Sequence, residues 1–241
     1  MDQWVKDVRA RGAVPTGAEI RPAATVALLR DSDRGLEVLM GKRSSKLAFH
    51  GGSWVFPGGR IDEADWRDDD DVLAAARRAA ARETEEEAGL VVAAESLVHV
   101  SNWTTPEISP KRFATWFFVA HAGTETAHAK ADGVESDAVR WFTAPEAFAA
   151  RRAGEIEIAP PQFVTLLSLQ RFATVATAIE SLPAEEPFHF EPRFKFLDGA
   201  AVCIYEGDVA YDDPEQYERP GPRHRLLMPG DADWVYEDTR A

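Results

Sequence analysis

Apolar residues fall in short runs along most of this chain, and the runs predict strands. "AATVALL" (23–29) and "LEVLM" (36–40) read as two strands joined by the polar turn "RDSDRG", a hairpin. A short strand at 54–56 lies within "FHGGSWVFPGG", where paired glycines allow tight turns or close backbone approach. From 69 to 88 the period changes: "DDDVLAAARRAAARETEEEA" is alanine-rich and helical, with aspartates suited to its N-cap and first turn and Gly89 to its stop. Further strands are predicted at 90–92, 98–101, 115–120 and 139–142. A short helix should begin near Pro145, and a longer one should run from Pro161 to about Ile179 with Phe163, Leu166, Leu167 and Phe172 facing the core. After "SLPAEEPF" (181–188) the chain turns to strands again: "FKFLDGAAVCIYEGDVAY" reads as a hairpin, followed by "HRLLM" and "DWVYE". The expected organisation is an N-terminal arm (1–20), an α/β domain (21–182) and a β-rich C-terminal extension (183–241) packed on the same domain.

One feature of this pattern breaks local rules. Glu83, Glu85, Glu86 and Glu87 occupy the last turn of the predicted helix, at the negative end of its macrodipole. Each carboxylate there costs a few tenths to about 1 kcal/mol. Like charges one turn apart, such as Glu83 and Glu87, add roughly 0.2–0.5 kcal/mol. Violations of this kind mark functional sites more often than solvated faces. Glu83, Glu86 and Glu87 stand at i, i+3 and i+4 and share one face, whereas Glu85 points elsewhere. Clustered carboxylates call for a counter-charge, and oxygen ligands select a hard cation, Mg²⁺ or Mn²⁺. Magnesium shares its shell readily with substrate phosphates, so the implied chemistry is metal-assisted attack of water on a phosphate. A solvated acidic helix end is the plain alternative.

Composition narrows the partners. With 241 residues, 45% of them hydrophobic, the chain can bury a full core. A net charge of −14 argues against binding a nucleic-acid polymer or an anionic membrane. The longest apolar runs are too short to span a bilayer, and "MDQWVKDVRA" lacks the apolar core of a signal peptide, so a cytoplasmic protein is expected. Cys203 is the only cysteine; it reads as a small buried strand residue and leaves no intrachain disulfide or cysteine-based zinc site.

"GGRIDEAD" followed by "RETEEEAGL" resembles the Nudix box, the signature of the Nudix hydrolases. The resemblance implies a Nudix α/β/α sandwich with a mixed sheet. Gly59 matches the opening glycine, whose carbonyl often joins the metal shell. Arg82 and Glu83 match the Arg-Glu pair, Glu86 and Glu87 the Glu-Glu pair, and Gly89 with Leu90 the end. It implies that Glu83, Glu86 and Glu87 hold metal while Arg82 orients carboxylates. Asp65 stands where the family usually has glutamate, and Thr84 where an aliphatic residue is usual. The 17 positions from Asp65 to Arg82 exceed the common eight, an insertion of nine residues that holds the acidic run.

"KRSSKLAFHGGSWVFPGG" (42–59) is similar to the segment ahead of the box in coenzyme A diphosphatases, and "WTTPEISPKRFATWFF" (103–118) to one in their peroxisomal-type relatives. The arginine often found after the leucine of that motif is Ala48 here. The implied activity is hydrolysis of a nucleoside diphosphate linked to X, with a coenzyme A-like substrate first and ADP-ribose or a dinucleotide (NADH, a diadenosine polyphosphate) next. A nucleotide-binding sensor or regulator on the same fold is the alternative. Homodimerisation is common in such a family.

Arg43, Lys111 and Arg112 are candidate anion clamps for a diphosphate. Trp103 is a candidate stacking partner for a base, or else a core residue. His50 suits a loop-bracing hydrogen bond better than catalysis. Glu135 matches the family's habit of recruiting one further glutamate from outside the box, against the alternative of an exposed loop acid. Glu83 and Glu135 are the two candidates for the base that deprotonates water.

Overall fold

The computed structural model describes residues 6, 9, 15–44, 52–68, 71–124, 126, 129–230 and 232–240. His50 lies outside the described residues, as does most of the N-terminal arm. The chain divides into two compact units, one of Arg21–Asn102 with Ala114–Phe188, the other of Met1–Ile20, Trp103–Phe113 and His189–Ala241.

The larger unit is a mixed α/β fold. Strands β1 (Ile20–Ser32) and β2 (Gly35–Arg43) form the expected hairpin, with Leu29 opposite Val38 and Gly35 at φ 106° closing the turn. The turn is braced by Glu37, fully buried, which accepts from Arg30 Nε at 2.6 Å and from Arg34. Next come β3 (Trp54–Val55) and β4 (Gly58–Arg60), then helix α1 (Val72–Ala88). Strands β5 (Val98–Thr104), β6 (Arg112–His121) and β7 (Ser136–Phe142) follow. The order is β3-β2-β1-β6-β5, with β4 paired to β1 and β7 to β2. The core lies between this sheet and α1: Ala75, Ala76, Ala79 and Ala80 pack with Val26, Leu28, Leu39 and Phe118. A helix face built of alanines brings the α1 backbone close to the strands.

Two expectations are corrected. Residues 90–92 form no strand; Leu90 is buried and Val92 packs on the same core while Val91 is 76% exposed, so an alternation that mimics a strand serves here as a loop with two anchored side chains. The long helix predicted over 161–179 is two: α3 (Pro160–Leu169) and α4 (Val175–Ser181), after α2 (Ala144–Arg152). The break has a local cause: the Thr174 hydroxyl accepts from Thr177 N–H as an N-cap, with Thr174 extended at φ −140°, ψ 159°. Phe163 and Leu166 face the core as expected, but Leu167 and Phe172 are only half-buried, and Leu169 is the buried residue instead.

In the smaller unit, β8 (Phe188–Phe190), largely in this unit, precedes an antiparallel sheet ordered β12-β11-β10-β9. Its strands are β9 (Arg193–Leu197), β10 (Ala200–Ile204), β11 (His224–Pro229) and β12 (Val235–Asp238). The expected β9–β10 hairpin turns at Gly199, φ 70°. Cys203 is a fully buried strand residue. Val202, Ile204 and Ala210 form one core with Tyr211, Tyr217 and Leu227, beside a buried ion pair of Arg225 with Asp208 (2.5 Å and 2.7 Å). Among the described residues no helix is long and apolar enough to cross a membrane.

Candidate active site

Local sequence fixes where α1 begins and ends. Asp71 caps it, its carboxylate accepting from Ala74 N–H at 2.8 Å, and Gly89 stops it in the left-handed conformation at φ 66°. The alanine face that meets the sheet continues one turn on into Glu83 and Glu87. Glu87 is 6% exposed and accepts the Gly58 N–H at 3.0 Å. Glu83 lies against Gly59 so closely that a Cβ there would sit 2.3 Å from its Oε1. A Cβ on Gly58 would lie 2.3 Å from the Ala24 carbonyl oxygen. Both glycines are therefore needed where they stand, one for strand pairing and one for the carboxylate. Glu86 points outward, its side chain 58% exposed.

Arg82 is the hub of this end of the helix. It donates to Asp65 through Nε (3.2 Å) and Nη2 (2.9 Å), to Glu83 at 2.8 Å, to Glu86 at 3.2 Å and to the Arg60 carbonyl at 3.1 Å. Its guanidinium is held well above its ordinary pKa by the Asp65 hydrogen bonds, with Glu83 adding to them against burial. Asp65 is 4% exposed and also accepts from Asp62 N–H, closing a short 3₁₀ turn over Glu63–Asp65. One turn before Arg82, Arg78 donates to the Asp65 carbonyl at 2.7 Å, a contact the sequence did not suggest. Thr84 is buried and donates to the Ala80 carbonyl at 2.7 Å, which is how a hydroxyl fits at an apolar position.

Burial and neighbouring charge shift Glu83 and Glu87. Burial, first of all, raises the Glu87 pKa to about 7, with the charges of Glu83 and Glu135 adding to it and the Gly58 N–H and Arg43 opposing. Burial likewise raises Glu83, opposed by Arg82 and assisted by Glu86 and Glu135. Glu135 is exposed, just before β7, yet its charge reaches both box glutamates. Arg43, at the end of β2, faces the same group, and its buried Nε has no hydrogen-bond partner among the described residues. The structure thus brings together Gly59, Arg82, Glu83, Glu86, Glu87, Glu135 and Arg43. Among the described residues no three His, Cys, Asp or Glu side chains already converge as metal ligands, and Arg82 stands between Glu83 and Glu86.

The remaining candidates belong to the smaller unit. Trp103 is 4% exposed, stacked on Phe190 with centroids 4.1 Å apart and edge-on to Tyr205, so it presents almost no ring surface to a base. That is the core alternative for this residue. Arg112 donates to the Thr105 carbonyl at 3.0 Å and to Glu191 at 2.8 Å, and Lys111 is exposed.

The end of the site is thus a glycine strand end packed on a helix whose last residues carry a run of glutamates gathered around Arg82. The NUDIX domain model matches residues 19–164, more than half of the chain. The chain belongs to the Nudix family. It is similar to the crystal structure of a Nudix hydrolase from Alicyclobacillus acidocaldarius, at TM-score 0.60 and 25% identity over 71% of this chain and 100% of that one. It is also 34% identical over 79 residues to the acyl-coenzyme A diphosphatase NUDT19 of Gallus gallus, a stretch that spans 31% of this chain and 21% of that protein.

Proposed function

We propose that this protein is a divalent-cation-dependent hydrolase of a nucleoside diphosphate linked to a second group X, releasing a nucleoside monophosphate and phosphorylated X. The observation that carries the reading is the gathering of Glu83, Glu87 and Glu135 from two distant segments: burial raises the pKa of both Glu83 and Glu87, and the charge of Glu135 adds to each. Carboxylates held at such cost fit a bound cation, and their all-oxygen donor set fits Mg²⁺ or Mn²⁺. Glu83, Glu86, Glu87 and the Gly59 carbonyl would hold it. When bound it would polarise the phosphoryl oxygens and acidify water.

The chain's own groups supply the rest. Arg82, anchored on Asp65, holds Glu83 against Gly59 and ties the outward-pointing Glu86 to the same guanidinium. Arg43, whose Nε has no hydrogen-bond partner among the described residues and whose charge reaches Glu87, is the clamp for the diphosphate. Glu135 is the general base in this reading: it is exposed to the solvent that supplies the water, whereas Glu83 is tied to Arg82 at 2.8 Å. A coenzyme A-like X comes first, because the segment 42–59 resembles that of coenzyme A diphosphatases and the curated relative carries that name. ADP-ribose, NADH and diadenosine polyphosphates follow.

The test is turnover of coenzyme A, acyl-coenzyme A, ADP-ribose, NADH and diadenosine polyphosphates with Mg²⁺ or Mn²⁺, with products identified by mass and Glu86→Gln as control. Metal-dependent cleavage that disappears in the control supports the hydrolase and names X. Binding across the panel without turnover would replace it with a nucleotide-responsive regulator.

A further inference from the structure

The segment that delivers Glu135 is not held by packing. Val134 is 75% exposed, and Gly133, at φ 73°, has open space where a Cβ would stand. Hydrogen bonds hold it instead, and they converge on one side chain. Asp132 Oδ1 accepts the N–H of Val134 at 3.1 Å, of Glu135 at 3.2 Å and of Ser136 at 2.9 Å, while Oδ2 accepts Glu135 N–H at 3.1 Å. Gly133 N–H closes the turn on the Ser136 carbonyl at 3.0 Å. On the other side, the Glu135 carbonyl accepts the Ser44 N–H at 2.8 Å, one residue after Arg43, and Arg43 is itself paired with Ser136 across a bulge. The backbone of Glu135 is thus pinned at its N–H by Asp132 and at its C=O by the strand that carries Arg43.

We propose that Asp132 is a positioning residue: its carboxylate gathers the N–H groups of residues 134–136 and so fixes Glu135 facing Glu83 and Glu87. It touches no reacting atom and acts through Glu135, so the inference rests on the diphosphatase reading and on Glu135 belonging to the machinery. Without the carboxylate three backbone donors turn to water, and nothing apolar keeps the loop in place. A misplacement of about 1 Å costs up to roughly a hundredfold in rate.

The experiment compares the parent, Asp132→Ala, Asp132→Asn, Glu135→Gln and the Asp132→Ala/Glu135→Gln double variant on the substrate the parent turns over. Amide exchange of residues 134–136 is followed in the metal-free protein as a second readout. Asp132→Ala is expected to lower kcat between about tenfold and a hundredfold with KM within about twofold. Asp132→Asn, whose amide oxygen accepts the same N–H groups, should recover most of the loss, and the double variant should be no slower than Glu135→Gln. Amides 134–136 should exchange faster in Asp132→Ala while the melting temperature holds. Unchanged exchange, or losses that multiply in the double variant, overturn the inference and leave the diphosphatase standing. An active Glu135→Gln overturns it by removing Glu135 from the chemistry. A parent that cleaves nothing, whatever the amides do, brings down the reading of the site and the inference with it.

Discussion

Gly58 and Gly59 are neighbours in sequence, yet alanine should do opposite things at the two positions. At Gly59 the backbone is in a region open to any residue, so the only cost of a methyl group is its contact with Glu83: 2.3 Å to Oε1 and 2.5 Å to Cδ. Relief requires moving the carboxylate by about 1 Å, the gap between 2.3 Å and an ordinary van der Waals separation. The atom that must move is the end of a flexible side chain, so folding should lose no more than about 1 kcal/mol. The chemistry should lose far more, because a displacement of about 1 Å in a positioned group is worth about a hundredfold in kcat. At Gly58 the obstacles are the Ala24 carbonyl oxygen at 2.3 Å and Thr25 Cα at 2.6 Å, backbone of the strand paired beside it. Overpacking against backbone costs about 3 kcal/mol or more, or roughly 6–12 °C in melting temperature for a unit of this size. Thermal melts of both variants, with kcat on the substrate found for the parent, make the comparison. A Gly59→Ala protein with the parent's kcat would refute the argument, since Glu83 would then be dispensable where it stands.

Three more expectations follow from named contacts. Glu86→Gln should abolish turnover while leaving the metal-free melting temperature at or above the parent's, because its side chain is 58% exposed and its contact with Arg82 is worth under about 1 kcal/mol; a clear drop in an EDTA melt would make Glu86 structural. Glu87 has a folded pKa near 7, above its unfolded value near 4.5, so its ionisation destabilises the metal-free fold progressively as pH rises between those values. The parent in EDTA should therefore lose up to about 3 kcal/mol between pH 5 and pH 8 relative to Glu87→Gln in urea melts, and equal slopes would contradict it. Asp208→Ala should cost roughly 3–5 kcal/mol by stranding Arg225, which is 2% exposed, and a near-neutral result in chemical denaturation would show that water reaches that guanidinium.

What the sequence made legible is what local chemistry decides. The end of α1 could be read because Gly89 and the glutamate run are themselves the signal, and β9–β10 because Asp198-Gly199 is a turn whatever surrounds it. Thr174 was a readable cap as well, but the apolar period running through Leu167 and Phe172 hid it. Other features depend on residues far away. Trp103 is buried by Phe190 and Tyr205, and residues 103–113 group with 189–241, a partition that no stretch of either segment encodes alone. Glu135 could be nominated only by resemblance; its approach to Glu83 and Glu87 depends on the pairing of β2 with β7. The brace on it, Asp132, is one acid among several in "ADGVESD", and only the direction of three N–H groups sets it apart.

The nine extra residues of the box bear on how far such a site can be stretched. Doubling the length of a loop adds only about 0.6 kcal/mol to the entropy of closing it. Closure here is made by Asp65, whose carboxylate takes Arg82 and whose carbonyl takes Arg78. A single hydrogen bond to a charged group contributes roughly 1.5–3 kcal/mol when it is largely buried, as Asp65 is. Much of the span from Asp65 to Arg82 is not loop, because residues 72–81 are helical and Asp71 caps them. The same helix carries Arg78, one turn before Arg82, as a second clamp on the same residue. The contact that closes the box therefore outweighs the cost of lengthening it, and the last turn of α1 keeps its place against Gly58 and Gly59. The insertion changes the approach to the helix and leaves untouched the end of it that carries Glu83, Glu86 and Glu87.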